Sequence, residues 1–436
     1  MSENIENIKI IADKCIKRLA DGGAARAICS ASKSVTNEFN VDGGQFSLFR
    51  TLFDNSLSIT AYVDNKKGTA SLNKFDDGSI EAAVKSCIAS AQAAEPDEAW
   101  EIAPKQPAET FIKGCPDADI DKFFERTKEF MKDIQERYPL IIMEQLIVSH
   151  TRTEAVYVNT NGTEFDTISG QYSVSAMFSA HEGENASSFF GDGVIIDNLD
   201  RPFIELGTFA DSFDKIQKQV VTEPLSGKFA GTVVAPPSLL VELLTSALEN
   251  FAGDFNLLSG TSIWNKALGT KVADDRLSVA IAPLDGRIVS GQRFTAEGYK
   301  SENYYVIKDG ILENFMLSQY VANKTGNRRA PNSASNMIIE GGDISIDDMI
   351  KGIKKGILAG RFSGGAPGIN GDFSGVAKNS FLIEDGKITK ALSETMISGN
   401  LADILKNISC ISRETFCDGN SVLPYIAFEG VTVSGK

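Results

Sequence analysis

Histidine is almost absent from this chain. Only His150 and His181 occur in 436 residues. A site built on two imidazoles would have to recruit both. A basic excess is missing too: the net charge is −15. Nucleic-acid binding rests on cationic side chains that displace counterions, so no nucleic-acid partner is expected. No stretch reaches the roughly 18 uninterrupted apolar residues of a membrane span, so no membrane partner is expected either. The opening MSENIENIKI lacks the basic stretch and apolar run of a secretory signal, which points to a cytoplasmic protein. Cys15, Cys29, Cys87, Cys115, Cys410 and Cys417 are scattered without close ligand spacing. Free thiols in a reducing compartment are the simple reading. Also missing are a G-x-S-x-G elbow, a complete phosphate loop around Gly227-Lys228-Phe229, and any repeat of fixed spacing.

Apolar residues make up 42% of the chain, enough for full globular folding, and the length exceeds one ordinary core. The pattern reads as α+β: a mixed α/β N-terminal region followed by a large β-rich C-terminal domain with packed helices. Three domains are expected. An N-terminal α+β domain covers 1–94, a central helix-plus-sheet domain 117–224, and a C-terminal domain 225–436. The proline-dotted stretch between Glu95 and Asp119 is the linker candidate.

Periodicity fills in the elements. Ile5, Ile8, Ile11, Ala12, Cys15 and Leu19 share one face of a first helix. Short strands and turns follow, including LSITAYVD. A second helix over 79–94 then buries Ile80, Val84, Cys87, Ile88 and Ala91. A third helix begins near Asp121. Tyr172, Val174, Ala176, Phe178 and Ala180 alternate with more polar neighbours, as a strand requires, and Asn161-Gly162 marks a hairpin upstream. In the last part, SLLVELLTSALENFA reads as a helix capped by Ser238 and apolar around most of its circumference, hence buried. Asp309-Gly310 and Asp385-Gly386 mark hairpins. Ser345 and Asn400 cap later helices, and PYIAFEGVTVSG closes the chain as a strand.

Candidate chemistry is sparse. His181-Glu182 begins like a metalloprotease motif, but Asn185 stands where a second imidazole would be, in a strand-and-turn context. His150 is also strand-like, so a structural role is the reading for both. Cys410 and Cys417 have no evident base beside them, and packing is the simpler reading. The densest signal is GRFSGGAPGINGDFSG, with six glycines between Gly360 and Gly375. Such a segment turns sharply and lets a backbone approach closely. It is either a turn-rich connection or a peptide-binding rim at a channel or interface. Gly371, Asp372 and Ser374 are its candidate residues, with Asp372 accepting backbone hydrogen bonds and Ser374 closing the turn.

Several segments carry a family likeness: AGDFNLLSGTSIW, FTAEG at 294–298, GINGDFSG at 368–375, ETMISGN and LPYIAFEGVTVSG. DNKKGTASL and VYVNTNG extend it upstream. In order and spacing these resemble the PmbA/TldD family, often described as modulators of DNA gyrase, over nearly the whole chain. The resemblance implies a cytoplasmic pair of a TldD subunit with a PmbA (TldE) subunit. The TldD type resembles a zinc metalloprotease, with histidine, glutamate, three residues and a second histidine on a helix, plus a cysteine ligand near the C-terminus. The pair is linked to peptide-antibiotic maturation and to breakdown of an unfolded antitoxin, both extended or unfolded peptide substrates.

Counting back from Gly253-Asp254-Phe255-Asn256, the resemblance places the histidine positions on Leu244 and Glu249 and the glutamate on Thr245. Cys410 falls near the further ligand's place. Both imidazoles and the base are therefore lost. The chain looks like the PmbA/TldE-type subunit: no cofactor, zinc only in a TldD-like partner, no activity expected alone, and a homo- or heterodimer. The alternatives are an independent peptidase with an unrecognised site and a homodimeric peptide-binding scaffold. Direct gyrase contact has the weakest support.

Overall fold

The computed structural model describes residues 3–393 and 395–435. The first half builds one sheet covered by helices. Its elements are α1 (Glu3–Asp21), β1 (Arg26–Asp42), β2 (Gln45–Val63), β3 (Lys66–Leu72), α2 (Asp77–Ala93), β4 (Glu109–Gly114), α3 (Ile120–Arg137), β5 (Ile141–Asn159), β6 (Glu164–Glu182), β7 (Asn185–Ala186), β8 (Phe190–Ile196) and α4 (Phe209–Gln217). The strands run in the order β3-β2-β1-β5-β6-β4, with β7 and β8 also on β6. Only β4 pairs in parallel, against β6.

β1 and β2 are long, 17 and 19 residues, where short strands are expected, and β5 and β6 also run 19 residues each. Polar Ser, Thr and Asn inside them look like turns in sequence, but they sit in mid-ladder. β1 pairs with β5 from Ile28 to Asp42, so segments 1–94 and 117–224 both contribute strands to one sheet. Nor does the stretch after α2 behave as a linker. Trp100 stacks on Tyr320, Asp97 accepts hydrogen bonds from Tyr320 and Lys324, and β4 joins the sheet. Its prolines and acids make a strap bound to the second half.

Side-chain alternation divides the faces. Cys29, Ala31, Leu57 and Ile59 meet α1 and α2. Further along, Phe39 and Val41 meet α3 and α4. Ile28, Tyr62 and Tyr157 point the other way, toward Trp100 and Phe294. The expected buried set of α2 is the observed one.

The second half is a branched sheet of many short strands. Its elements are β9 (Glu223–Pro224), β10 (Lys228–Ala235), α5 (Pro237–Ala252), α6 (Asp254–Leu258), β11 (Val279–Ile281), β12 (Tyr304–Lys308), β13 (Ile311–Leu312), α7 (Gln319–Thr325), β14 (Met337–Ile338), α8 (Ile346–Lys351), β15 (Lys355–Leu358), β16 (Arg361–Gly364), β17 (Asp372–Lys378), β18 (Ser380–Glu384), β19 (Lys387–Ser393), β20 (Thr395–Asn400), α9 (Leu401–Ile404), β21 (Ile408–Cys417) and β22 (Val422–Ser434). Among the described residues it counts fourteen strands, and β22 is the hub, pairing with β10, β14, β20 and β21. Alternation along β22 sends Ile426 and Phe428 toward α5, and Tyr425 and Ala427 toward α8. Both Asp-Gly turns form, with Asp309 and Asp385 at positive φ. The architecture is thus α+β with a β-rich second half.

Candidate functional site

The site is built on α5. Pro236 precedes the helix and Pro237 occupies its first turn. A proline there has φ already set and no N–H to waste, so the helix starts one residue before the expected Ser238 cap, and no side chain caps it. Leu239, Leu240, Leu243, Leu244, Ala247, Leu248 and Phe251 are buried. This is one broad stripe covering most of the circumference, as expected. Glu242 and Glu249 are exposed and Thr245 and Ser246 half-buried. The helix ends at Gly253, which turns to an extended conformation where a Cβ would stand 2.6 Å from the Glu249 carbonyl oxygen.

The glycine-rich segment forms the facing wall. It is a hairpin, not a loop: β16 pairs with β17, and only 365–371 connects them. Phe362 lies across the two strands, which requires glycine beneath it. A Cβ on Gly375 would stand 2.5 Å from the Phe362 ring. Gly371 has φ 92° and comes so close to α5 that a Cβ would stand 2.8 Å from Phe251. Asn250 holds the connection from the helix side, donating to the carbonyls of Pro367 and Gly368 at 3.3 and 3.4 Å.

Between the helix and the hairpin runs a groove of about 460 Å³, lined by Val241, Glu242, Thr245, Ser246, Phe362 and Pro367 among others. Glu242 keeps an exposed edge but is hemmed in enough that desolvation raises its carboxyl pKa, with Arg361 pulling the other way. The Arg361 guanidinium lies 4.3 Å from the centre of the Phe189 ring, and its Nε is buried without a hydrogen-bond partner. Among the described residues β16 pairs with β17 alone, which leaves its other edge without a strand partner there.

The structure brings the two sequence signals together, since Thr245 and the hairpin line one groove. It also separates the three motif positions. Five residues along a helix is a rotation of about 140°. Leu244, 1% exposed, points into the core while Glu249 points outward. Asp372 is exposed and accepts side-chain amides, Asn370 at 2.7 Å and Asn400 at 2.9 Å, rather than the expected backbone groups. Those two amides, Asn400 first, hold its carboxyl below its usual pKa. Ser374 is exposed in mid-strand opposite Ser398, so it closes no turn.

The remaining candidates lie elsewhere. His150 is buried in β5, its Nε2 2.7 Å from the Cys115 carbonyl oxygen, and burial lowers its pKa. His181 touches Ser179 at 3.0 Å. Cys410 sits opposite Ala427 and packs with Tyr425 on the α8 side of β22, across the sheet from Leu244. Desolvation raises its thiol pKa, as it does that of Cys417. Leu244, Thr245 and Glu249 offer one carboxylate and no imidazole or thiolate, a set that does not fit zinc. Among the described residues no group of three or more His, Cys, Asp and Glu side chains could hold a metal ion. None of the described helices is long and apolar enough to cross a membrane.

Glu242 and Arg361 escaped sequence reasoning. Glu242 did leave a signal, as the one charge inside LLVELLT. Arg361 left none, because the sequence does not show that Phe189, 172 positions upstream by numbering, would lie against it.

Two family models match the chain: the PmbA/TldA metallopeptidase C-terminal domain over residues 226–435 and PmbA/TldA metallopeptidase domain 1 over residues 29–91. The chain belongs to the PmbA/TldD-type metallopeptidase superfamily. It is 25% identical to the metalloprotease PmbA of Escherichia coli, with 94% of each chain covered. A metalloprotease PmbA homolog from Haemophilus influenzae is 24% identical, with 88% of this chain and 86% of the relative covered. The fold is that of TldE from Thermococcus kodakarensis, at a TM-score of 0.84 and 20% identity, covering 98% of this chain and 100% of that one.

Proposed function

We propose that this chain is a non-catalytic PmbA/TldE-type subunit. It lines part of the substrate path of a zinc peptidase completed by a TldD-type partner, and it acts on extended or unfolded peptides in the cytoplasm. The observation that carries the reading is the groove beside α5. Of the three positions where the family resemblance puts the zinc motif, Thr245 lines this groove while Leu244 is buried in the core, and among the described residues no metal-ligand set is present.

The groove suits an extended chain. Val241, Phe362 and Pro367 offer apolar contact, and the free edge of β16 offers backbone donors and acceptors to an added strand. Recognition through backbone groups reads shape rather than sequence, which fits unfolded substrates. Asp372, tied to Asn370 and Asn400, holds the connection end of the hairpin and is given no bond-breaking role. An independent peptidase is disfavoured because neither histidine lines this groove.

The test is reconstitution. The chain purified from zinc-supplemented cells is assayed for zinc and for cleavage of an unfolded peptide, alone and with a TldD-type subunit. Little zinc and no turnover alone, with turnover in the pair, is the expected result. One tightly bound zinc per chain, or turnover by the chain alone, sinks the reading.

A further inference from the structure

The far half of β2 is built differently from the rest of its sheet. From Gln45 to Ser56 every residue is exposed except Phe46 and Asn55, which are half-buried. β3 covers the outer edge of β2 only from Leu57 onward, so among the described strands residues 45–56 pair with β1 alone. Leu48, Phe49, Leu52 and Phe53 are exposed large apolar side chains, Phe53 by 80%. Proteins usually blunt a free edge with proline, lysine or a covering segment, because unpaired N–H and C=O groups recruit another strand. QFSLFRTLFDNS has neither proline nor lysine.

We propose that this edge joins two copies of the chain, β2 against β2, antiparallel about a two-fold axis at Leu52. Register selects the axis. A two-fold axis perpendicular to the sheet keeps each face on its own side, so a residue can oppose only residues of its own parity. Centring on Arg50 sets two guanidinium groups face to face. Centring on Thr51 sets Asp54 against Leu48. Centring on Phe53 sets Asp54 against Leu52.

Centring on Leu52 has none of these conflicts. Leu52 meets its own copy, and Arg50 faces Asp54 of the second copy on both sides of the axis, an opposite-charge pair each time. On the other face Phe53 opposes Thr51, and the two Phe53 rings lie diagonally across the axis, within aromatic reach. Arg50 is already steered along this face by its 2.8 Å ion pair with the nearly buried Glu38. The pairing lies in the first sheet and does not use the α5 groove, so it stands or falls separately from the peptide role.

The experiment combines mass and register. Sedimentation of the full chain at micromolar concentration is expected to give twice the 47.0 kDa chain mass. Asp54→Lys, which sets two cations opposite each other, is expected to return the single-chain mass without loss of helical signal. Directly opposed residues in an antiparallel pair have Cα atoms about 4.5–5.5 Å apart, within disulfide reach. Leu52→Cys should therefore cross-link to itself under mild oxidation, while Thr51→Cys and the unmodified chain should not. A monomeric wild-type chain overturns the proposal. So does a dimer that survives Asp54→Lys, a Thr51→Cys cross-link as complete as that of Leu52→Cys, or a β2 edge that engages only a TldD-type subunit.

Discussion

The core behind α5 and the groove in front of it share one helix yet follow different rules. Behind it, Leu239, Leu240, Leu243, Leu244, Ala247 and Leu248 pack against β22 and its neighbours at near-zero exposure. In front, Glu242, Thr245 and Ser246 face a gap whose far wall is a hairpin with glycine at close-contact positions. The core face can be filled only by shape. The groove face is expected to tolerate substitution of its polar groups, and it is shaped by what the opposite wall lacks. Core and groove on this helix are thus formed by different residues, with Leu244 in the one and Thr245 in the other.

The sharpest way to break that comparison is to cut each face in turn. Leu244→Ala leaves a cavity in packed core and is expected to cost about 2–5 kcal/mol, read from urea denaturation midpoints. Thr245→Ala, one residue away, should stay within about 0.5 kcal/mol. Equal costs would mean that the two faces do not differ. On the hairpin side, Gly375→Ala forces the Phe362 ring to move and is expected to cost about 1–3 kcal/mol. Pairing Gly375→Ala with Phe362→Ala should recover part of that loss; no recovery would show that the ring is not the obstacle.

Glu242 gives a smaller, pH-dependent effect. Its folded pKa is raised, so the native state holds the proton more tightly than the unfolded chain. Stability from this group is present below its ordinary value of 4.5 and is lost as pH rises through the raised value. Glu242→Gln should flatten that decline and leave the acid-side stability unchanged. A variant that loses stability equally at all pH values would contradict the assignment. Asp372→Ala should move stability least, because the side chain is exposed, yet it frees the connection end of the hairpin from Asn370 and Asn400. The expected readout is weaker peptide handling by the reconstituted pair, with zinc in the partner unchanged.

How much of this was readable in advance depended on the reach of each signal. Local ones survived. The buried set of α2, the alternation of Tyr172 to Ala180, the turns at Asp309 and Asp385 and the caps at Ser345 and Asn400 all depend on neighbours a few residues apart. Long-range ones did not. Nothing within Arg26–Asp42 reveals that it pairs with β5 more than a hundred residues on, so the shared sheet is not legible from local pattern. The strap after α2 looked like a linker because prolines and acids look alike whether free or held by Tyr320 and Lys324. The glycine-rich segment was legible as a site of close approach. That it pairs as a hairpin was not, because glycine is a poor strand former and hides the β16–β17 ladder.

The central claim is that the α5 groove conducts peptide without supplying metal chemistry. The direct measurement is turnover of an unfolded peptide by the reconstituted pair carrying either the wild-type chain or Thr245→Trp. The indole would fill the groove between α5 and Phe362 while leaving the Leu244 side untouched. The account predicts a clear rise in KM or loss of turnover, with subunit association and the partner's zinc content unchanged. Unaltered kinetics in a stable, zinc-loaded pair would contradict it.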